Sequence, residues 1–359
     1  MNVEQKGIHL VTHYNKIKAY AGYTLFAPAG GDDAYLIDMK GQFVHNWKLP
    51  TQGIGHGVLL PNGNLLFAAK SQSGQGPELE GARGELLEIA WNGVVVWRYE
   101  DPYMHDDFYR MRNGHTMIIR WVQTPGDIAS KVKGGLQGTE QEGVMWCDSL
   151  REINPRGRVL WEWCGYEHLD PEVDVICPLC SRSEWAHASS CVVLPNGNIL
   201  ASFRRINTVT IIDKSSGTIQ WRWGSGELGH QHDASVTEDR NILVFDSGVH
   251  VPWVEMGYSQ LREIDIKNNK EVWEFRHDPW VDFYAPCMGN CQRLPNRNTL
   301  ICQGDTGRIF EITPQGETVW EFINPFYNSS AVYGRNNMLV RAYRYGYDYS
   351  GLKGLRLDP

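Results

Sequence analysis

Apolar residues fall in short runs along the whole chain, and Gly, Pro, Asn and Asp break the runs before any helical period develops. Two phrases recur. The first is an apolar pair, a turn, then Asn and another apolar run. It reads Leu59-Leu60-Pro61-Asn62-Gly63-Asn64-Leu65-Leu66, then Met111-Arg112-Asn113-Gly114-His115-Thr116-Met117, then Leu194-Pro195-Asn196-Gly197-Asn198-Ile199-Leu200. Weaker copies begin at Thr237 and Leu294, and a degenerate one at Tyr333. Proline presets one dihedral and Asn or Gly accepts a positive φ, so each phrase predicts a tight hairpin. The second phrase is a strand, a turn and a strand closing on Trp, at Trp47, Trp97, Trp161, Trp221, Trp273 and Trp320. These tryptophans lie 47 to 64 residues apart, the length of a four-stranded propeller blade.

The patterning therefore predicts an all-β fold, a six-bladed β-propeller of four-stranded blades. It forms one domain, 1–359, with 1–20 as an N-terminal extension and 346–359 as a C-terminal tail. Pairing of N- and C-terminal strands closes the ring, with Ala331–Tyr345 expected beside Tyr35–Trp47, so that no edge is left open. A seventh blade is the alternative if Tyr23–Pro28 belongs elsewhere. The hairpin turns are short and gather on one face. The long connections, among them 123–145, 164–185 and 276–288, gather on the other, which marks a probable site.

The histidines agree with that placement. His56, His105, His187, His230 and His232 each stand just before a hairpin, so five of the 12 histidines share one equivalent position where blades converge. Asn290 and Ser329 hold comparable places in the last blades. The plain alternative is that these side chains only plug a narrow channel.

Composition narrows the partners. The net charge of −8 argues against general nucleic-acid binding, which needs a basic surface. No apolar run is long enough for a membrane helix. The first twenty residues lack a secretory signal, which leaves a cytoplasmic address as the expectation. Neither a G-x-x-x-x-G-K-[ST] loop nor a G-x-G-x-x-G turn is present, so a nucleotide cofactor bound in those ways is not expected. Aromatic residues in the long loops, including Tyr103, Phe108, Trp185, Trp253 and Tyr284, suit a small, flat aromatic substrate.

Two chemistries fit the histidine ring. In one, a neutral His attacks a sulfur or phosphorus centre while Arg204 and other histidines hold the anionic oxygens. In the other, His56, His105, His187 and His232 bind a catalytic metal for a lyase, hydrolase or oxidase reaction. A propeller that binds without catalysing is a third reading. Asp107 and Asp233, beside His105 and His232, are candidates to orient an imidazole. Separately, Cys177-Pro178-Leu179-Cys180, with Cys164 and His168 upstream, is a candidate structural zinc site, with a disulfide or free thiols as alternatives. Cys191 and Cys302 read as buried fillers.

The run Glu184-Trp185-Ala186-His187-Ala188-Ser189-Ser190, with Ser202-Phe203-Arg204 after it, resembles the bacterial arylsulfotransferase family. So do Gly229-His230-Gln231-His232-Asp233 and Gln292-Arg293-Leu294-Pro295-Asn296, and the similarity spans Gly22 to Tyr345. The resemblance implies a six-bladed propeller that moves a sulfuryl group from a phenolic sulfate ester to another phenol. It does so without a nucleotide sulfate donor and with no cofactor. It further implies that His232 is the transiently sulfated nucleophile, that His187 and Arg204 hold the sulfate oxygens, and that His105 or His56 completes the pocket. Asn290, Ser189, Trp185, His230 and Tyr284 are the expected substrate contacts. The chain departs from the family at Ser189, often Asn, at Asp106, often His, and near Tyr284-Ala285-Pro286, where a further His is common. The periplasmic members carry a leader and an extra N-terminal β-domain, and neither is expected in this protein.

Overall fold

The structure is a computed structural model that describes residues 10–50, 55–71, 76–251, 257–330 and 334–357. The phrases fold as the patterning predicts. Six antiparallel sheets built on four strands each give the make-up of a six-bladed β-propeller. They fall into two compact units, Met1–Ala69 with Leu86–Arg98 and Cys287–Pro359, and Lys70–Glu85 with Tyr99–Pro286. Among the described residues no helix is long and apolar enough to cross a membrane.

The hairpins show why the repeat is written as it is. In each copy the backbone N–H before the turn bonds the carbonyl four residues on: Leu60 to Asn64, Leu194 to Asn198 and Leu294 to Asn298, all at 2.8 Å. The glycine in the turn sits in the left-handed region, at φ 85° for Gly63 and 89° for Gly197. In the two weaker copies Arg240 and Arg297 carry that strain, at φ 65° and 71°. The closing tryptophans have a bonding role as well as an apolar one. Trp161 Nε1 donates to the Lys214 carbonyl at 3.0 Å, and Trp221 Nε1 to Asn269 Oδ1 at 3.1 Å. Each indole thus fastens its blade to a turn of the next one.

In the first unit the opening blade comprises Gly22–Pro28, Asp33–Ile37 and Phe43–Lys48, completed by Leu339–Gly346. That last strand pairs with Gly22–Pro28, in register Leu25 to Tyr343, and not directly with Tyr35–Trp47. Tyr23–Pro28 therefore belongs to this blade and no seventh is formed. Ala331 lies outside the described residues. Trp320 Nε1 donates to the Met39 carbonyl at 2.9 Å, which ties the final blade to the first. Ser329 sits in a separate two-stranded ribbon with Gly334–Asn336, because the blade's own strand starts ten residues later. Behind these sheets a fully buried Arg344–Glu311 pair, 3.3 Å apart, is hydrogen-bonded to Thr24, the Tyr20 backbone and Asn298.

The second unit holds three blades, which begin with Met104–Arg110, Ala188–Val193 and Ala234–Val236. Its core packs Trp163, Trp185, Phe203, Ile119 and Ile199, all essentially inaccessible to solvent. A fully buried large side chain of this kind contributes about 1.5–3 kcal/mol. Its long connections do not hang free. Gly134–Leu136 pairs in parallel with Ile176–Ser181, and Glu184–Trp185 pairs in parallel with the first residues of Trp146–Ile153. These pairings hold the candidate residues in fixed places.

Candidate functional site

Most of the predicted histidines stand within the second unit, at the starts of its three blades. His105 opens the first of them, and both of its ring nitrogens face carboxylates. Nδ1 is 3.0 Å from Asp106 Oδ2, and Nε2 is 3.1 Å from Asp148 Oδ1, the latter out of hydrogen-bond alignment. His187 is held the same way, with Nδ1 2.9 Å from Glu184 Oε1 and Nε2 3.2 Å from the same Asp106 oxygen. Arg205 extends the chain to Glu184 Oε2 at 2.8 Å, and Trp121 Nε1 donates to Glu184 Oε1 at 2.7 Å. The result is an alternating row, Asp148–His105–Asp106–His187–Glu184–Arg205.

Burial alone drives an imidazole toward its neutral form. For His187 the Glu184 and Asp106 carboxylates outweigh it and push the ring up to about 10. Burial also raises a carboxyl, yet His187 and Arg205 bring Glu184 down to about 2, and His187 and His105 hold Asp106 well below the usual range. His105 is raised too, its two carboxylates overcoming burial. Carboxylates on both sides thus favour the protonated form of each ring. Where His187 was expected to hold a sulfate oxygen, its two ring nitrogens face Glu184 and Asp106. The orienting carboxylate of His105 is Asp106, while Asp107 accepts from the Cys191 N–H at 3.0 Å.

His232 is a different kind of residue. Its Nδ1 lies 2.6 Å from Ser247 Oγ, and no described residue bonds its Nε2. The Ser189 hydroxyl donates to the His232 carbonyl at 2.6 Å, and the His232 N–H reaches the Phe245 carbonyl at 3.0 Å. Burial and the nearby Arg204 charge push its pKa well below the usual value, so the ring is neutral. Arg204, itself buried, extends Nη1 to within 3.2 Å of Glu80 Oε2, a carboxylate 45% exposed. Ser189, expected as a substrate contact, thus holds the His232 backbone.

The backbone here is unusual. Asp106, Ala186, His187, His230 and His250 all have positive φ, between 46° and 84°. Such strain in non-glycine residues gathers where surrounding structure enforces a functional geometry.

A second group forms from other segments. Cys177 and Cys180, on Ile176–Ser181, meet His230 and His250, with one ligand atom of each within 4.8 Å of the others. The hydrogen bond from Cys180 pulls Cys177 down to about 3, and Cys180 is correspondingly raised. His230 therefore leaves the predicted substrate contacts for this group. Cys164 and His168 stand outside it, since the His168 ring stacks on Trp163 at 5.2 Å and Cys164 pairs in register with Ser149. All eight cysteines are free thiols, and Cys191 and Cys302 are buried within strands.

The remaining expected contacts separate. Trp185 is a fully buried core residue whose Nε1 donates to the Asp174 carbonyl at 2.7 Å, so it presents no face to a substrate. Tyr284 is half-buried and lies over Gly257. Trp253 lies outside the described residues. In the first unit, His56 is buried at the start of His56–Leu59. Asn290, also there, is fully buried and bonds both backbone groups of Ala342, at 3.0 and 2.9 Å. Asn290 is a strand clamp and has no polar atom to spare. Within the second unit a cleft of about 380 Å³ is lined by Tyr103, Trp146, Glu78, Gln141 and Glu142. Tyr103 is two residues ahead of His105.

Sequence reasoning missed Glu184, Asp148, Ser247 and His250. Glu184 was legible three positions before His187, the spacing that its hydrogen bond spans. His250 had a weaker signal, a lone His on a long loop, and only folding brings it to a Cys-x-x-C seventy residues earlier.

The family model of Arylsulfotransferase (ASST) matches residues 56–325. No curated protein matches the chain. Among solved structures, a protein of unknown function from Bacteroides caccae aligns with a TM-score of 0.58 at 13% identity, over 90% of this chain and 98% of that one. A streptogramin B lyase aligns at 0.49 and 10% identity, over 93% and 97%. The hydrazine synthase of Kuenenia stuttgartiensis also gives 0.49 at 10%, over 88% and 81%. The first of these is a likeness of fold alone. The family match spans most of the chain and includes every member of the carboxylate–imidazole row together with His232. The chain belongs to the Arylsulfotransferase (ASST) family, as an arylsulfotransferase-like enzyme on a propeller fold.

Proposed function

We propose that the protein transfers a sulfuryl group between phenolic oxygens, with His232 as the nucleophile. One observation carries the reading: His232 is pinned through Nδ1 by Ser247 and through its backbone carbonyl by Ser189, and Nε2 is the ring nitrogen that no described residue bonds. With Nδ1–H donating to Ser247 Oγ, the lone pair sits on Nε2. That lone pair attacks the sulfur of an aryl sulfate, the N–S bond forms, and the aryl oxide leaves with the S–O electron pair. An acceptor phenol then attacks the same sulfur and the N–S bond breaks back to Nε2. The acceptor's proton ends on the first aryl oxide, so the sum is one ester and one phenol exchanged for another pair.

Arg204 is the cation for the sulfate oxygens. It rests on the half-exposed Glu80 carboxylate, which the incoming sulfate displaces. The carboxylate–imidazole row supplies rigidity. A metal-dependent reaction at His56, His105, His187 and His232 is less well supported, because carboxylates already face both ring nitrogens of His105 and His187.

The test is a single-turnover reaction with p-nitrophenyl sulfate. A burst of nitrophenol equal to enzyme, with a sulfuryl adduct on the His232 peptide by mass spectrometry, is the expected result. It should be lost in His232→Asn and accelerated in its second phase by added phenol. An adduct on another residue, or a full burst in His232→Asn, would overturn the assignment.

A further inference from the structure

Four metal-ligating side chains converge from three separate segments of the second unit. Cys177 and Cys180 come from Ile176–Ser181, His230 from the turn before Ala234–Val236, and His250 from the connection after Ile242–Asp246. Cys177 Sγ lies 3.4 Å from His250 Nδ1, Cys180 Sγ 3.4 Å from His230 Nε2, and Cys180 Sγ 4.0 Å from His250 Nδ1. Zinc bonds of about 2.3 Å to sulfur and about 2.05 Å to nitrogen, at the tetrahedral angle, place S and N about 3.5 Å apart. The donors thus already stand close to the edges of that tetrahedron. One thiol–imidazole hydrogen bond would account for one such distance. It does not account for two thiols and two imidazoles facing a common point.

The backbone is arranged for the same purpose. His230 and His250 both adopt left-handed φ, at 56° and 57°, which a side chain tolerates only under constraint. The buried Asp246 supplies that constraint. Its Oδ1 accepts the N–H of Gly229 at 2.9 Å and of Gly248 at 3.2 Å, so one carboxylate holds both histidine turns. Val249 N–H then bonds the Gly229 carbonyl at 3.0 Å. A Cβ at Gly229 would meet the Val249 carbonyl at 2.8 Å, so this approach of the two turns requires glycine. Asn207 Oδ1 takes the His230 N–H at 2.9 Å. The two turns are fastened together by the protein itself, as a preformed metal site requires.

We propose that Cys177, Cys180, His230 and His250 bind one zinc-class ion in a closed tetrahedral site. Four protein ligands leave no open position, so the ion is structural and not catalytic. Its consequence for activity rests on the reading of His232 as nucleophile: the ion clamps the His230-Gln231-His232 turn and so positions the attacking ring. His230 and His250 are positioning residues in that sense.

The test uses the full chain purified under reducing conditions. Elemental analysis should give one zinc per chain, and X-ray absorption at the zinc edge two sulfur and two nitrogen neighbours. After chelation, cobalt(II) should restore a tetrahedral visible spectrum with a thiolate charge-transfer band. His250→Ala should convert that spectrum to one with a water-derived ligand. Asp246→Asn, which leaves all four ligands in place, should weaken zinc about tenfold or more. The pair Cys164→Ser and His168→Ala should leave zinc content unchanged. Octahedral cobalt without a thiolate band, no binding at micromolar metal, or a Cys177–Cys180 disulfide in the metal-free native protein would each overturn the proposal. These are read from spectra, so a surviving burst in His232→Asn refutes the nucleophile and leaves the metal site standing. A normal kcat in zinc-free enzyme would remove only the positioning role.

Discussion

His187 is expected to stay protonated far above the pH at which a free imidazole loses its charge. The ring sits between Glu184 at 2.9 Å and Asp106 at 3.2 Å and is 3% exposed. The His105 ring lies beside it, 5.8 Å between centroids. Glu184 and Asp106 together set its pKa at about 10, against an ordinary 6.5. A cationic group whose pKa is raised on folding stabilises the native state fully below the unfolded value and loses that contribution as pH climbs through the folded one. Its contribution is thus whole below 6.5 and gone above about 10. Between pH 6.5 and pH 8 the loss is about 2 kcal/mol, at about 1.4 kcal/mol per pH unit. Glu184 runs the other way: its pKa is lowered from 4.5 to about 2, so its contribution is present above 4.5 and disappears as pH falls through 2. The two describe one interaction and are not added. The row is strongest from about pH 4.5 to 6.5. Nitrogen-15 spectra of histidine-labelled protein read the titration directly, assigned by comparison with His187→Gln. The His187 ring should keep the imidazolium pattern at pH 8, and Glu184→Gln should move its midpoint down. The thermal midpoint of the native chain should drop from pH 6.5 to 8 by more than that of His187→Gln. A ring that titrates near 6.5 would show the carboxylates to be protonated or turned away, and the row would lose its basis.

Other perturbations reach separate parts of the structure. Asn290→Ala strips both bonds from the buried Ala342 backbone, with an expected loss of about 2–4 kcal/mol, read as a lower unfolding midpoint in calorimetry. Arg344→Met leaves Glu311 charged and buried, which should cost about 3–5 kcal/mol, whereas adding Glu311→Leu should restore much of it; equal destabilisation in the single and double variants would refute the pairing. Ser189→Ala releases the His232 carbonyl and should lower kcat about tenfold with KM little changed, as steady-state kinetics would show. Glu80→Gln removes the anion that holds Arg204 and should lower KM for aryl sulfates without raising kcat.

The fold was written in the sequence because its signals are local. A Pro-Asn-Gly-Asn turn specifies its own hairpin, and the closing Trp repeats at the interval of one blade. The two places that escaped were both non-local. The final strand was expected beside Tyr35–Trp47, yet Leu339–Gly346 pairs with Gly22–Pro28, since periodicity marks strands but not their neighbours. The histidines were placed in one class of position from their spacing, which could not show that His105 and His187 share Asp106 while His230 turns to the cysteines. Asn290 and Trp185 were misread for a related reason. A polar or aromatic residue at an equivalent position looks alike in sequence whether it faces a ligand or a carbonyl. Only their bonds to Ala342 and Asp174 separate the two.

Asp246 gives one last consequence. Its single carboxylate is the hinge pin of two turns, one leading to His232 and the other carrying His250. Harm to it would not stay in one place. A drifting Gly248 turn and a drifting Gly229 turn would fail together, so any variant selected for tolerance at either glycine should be found to keep this aspartate.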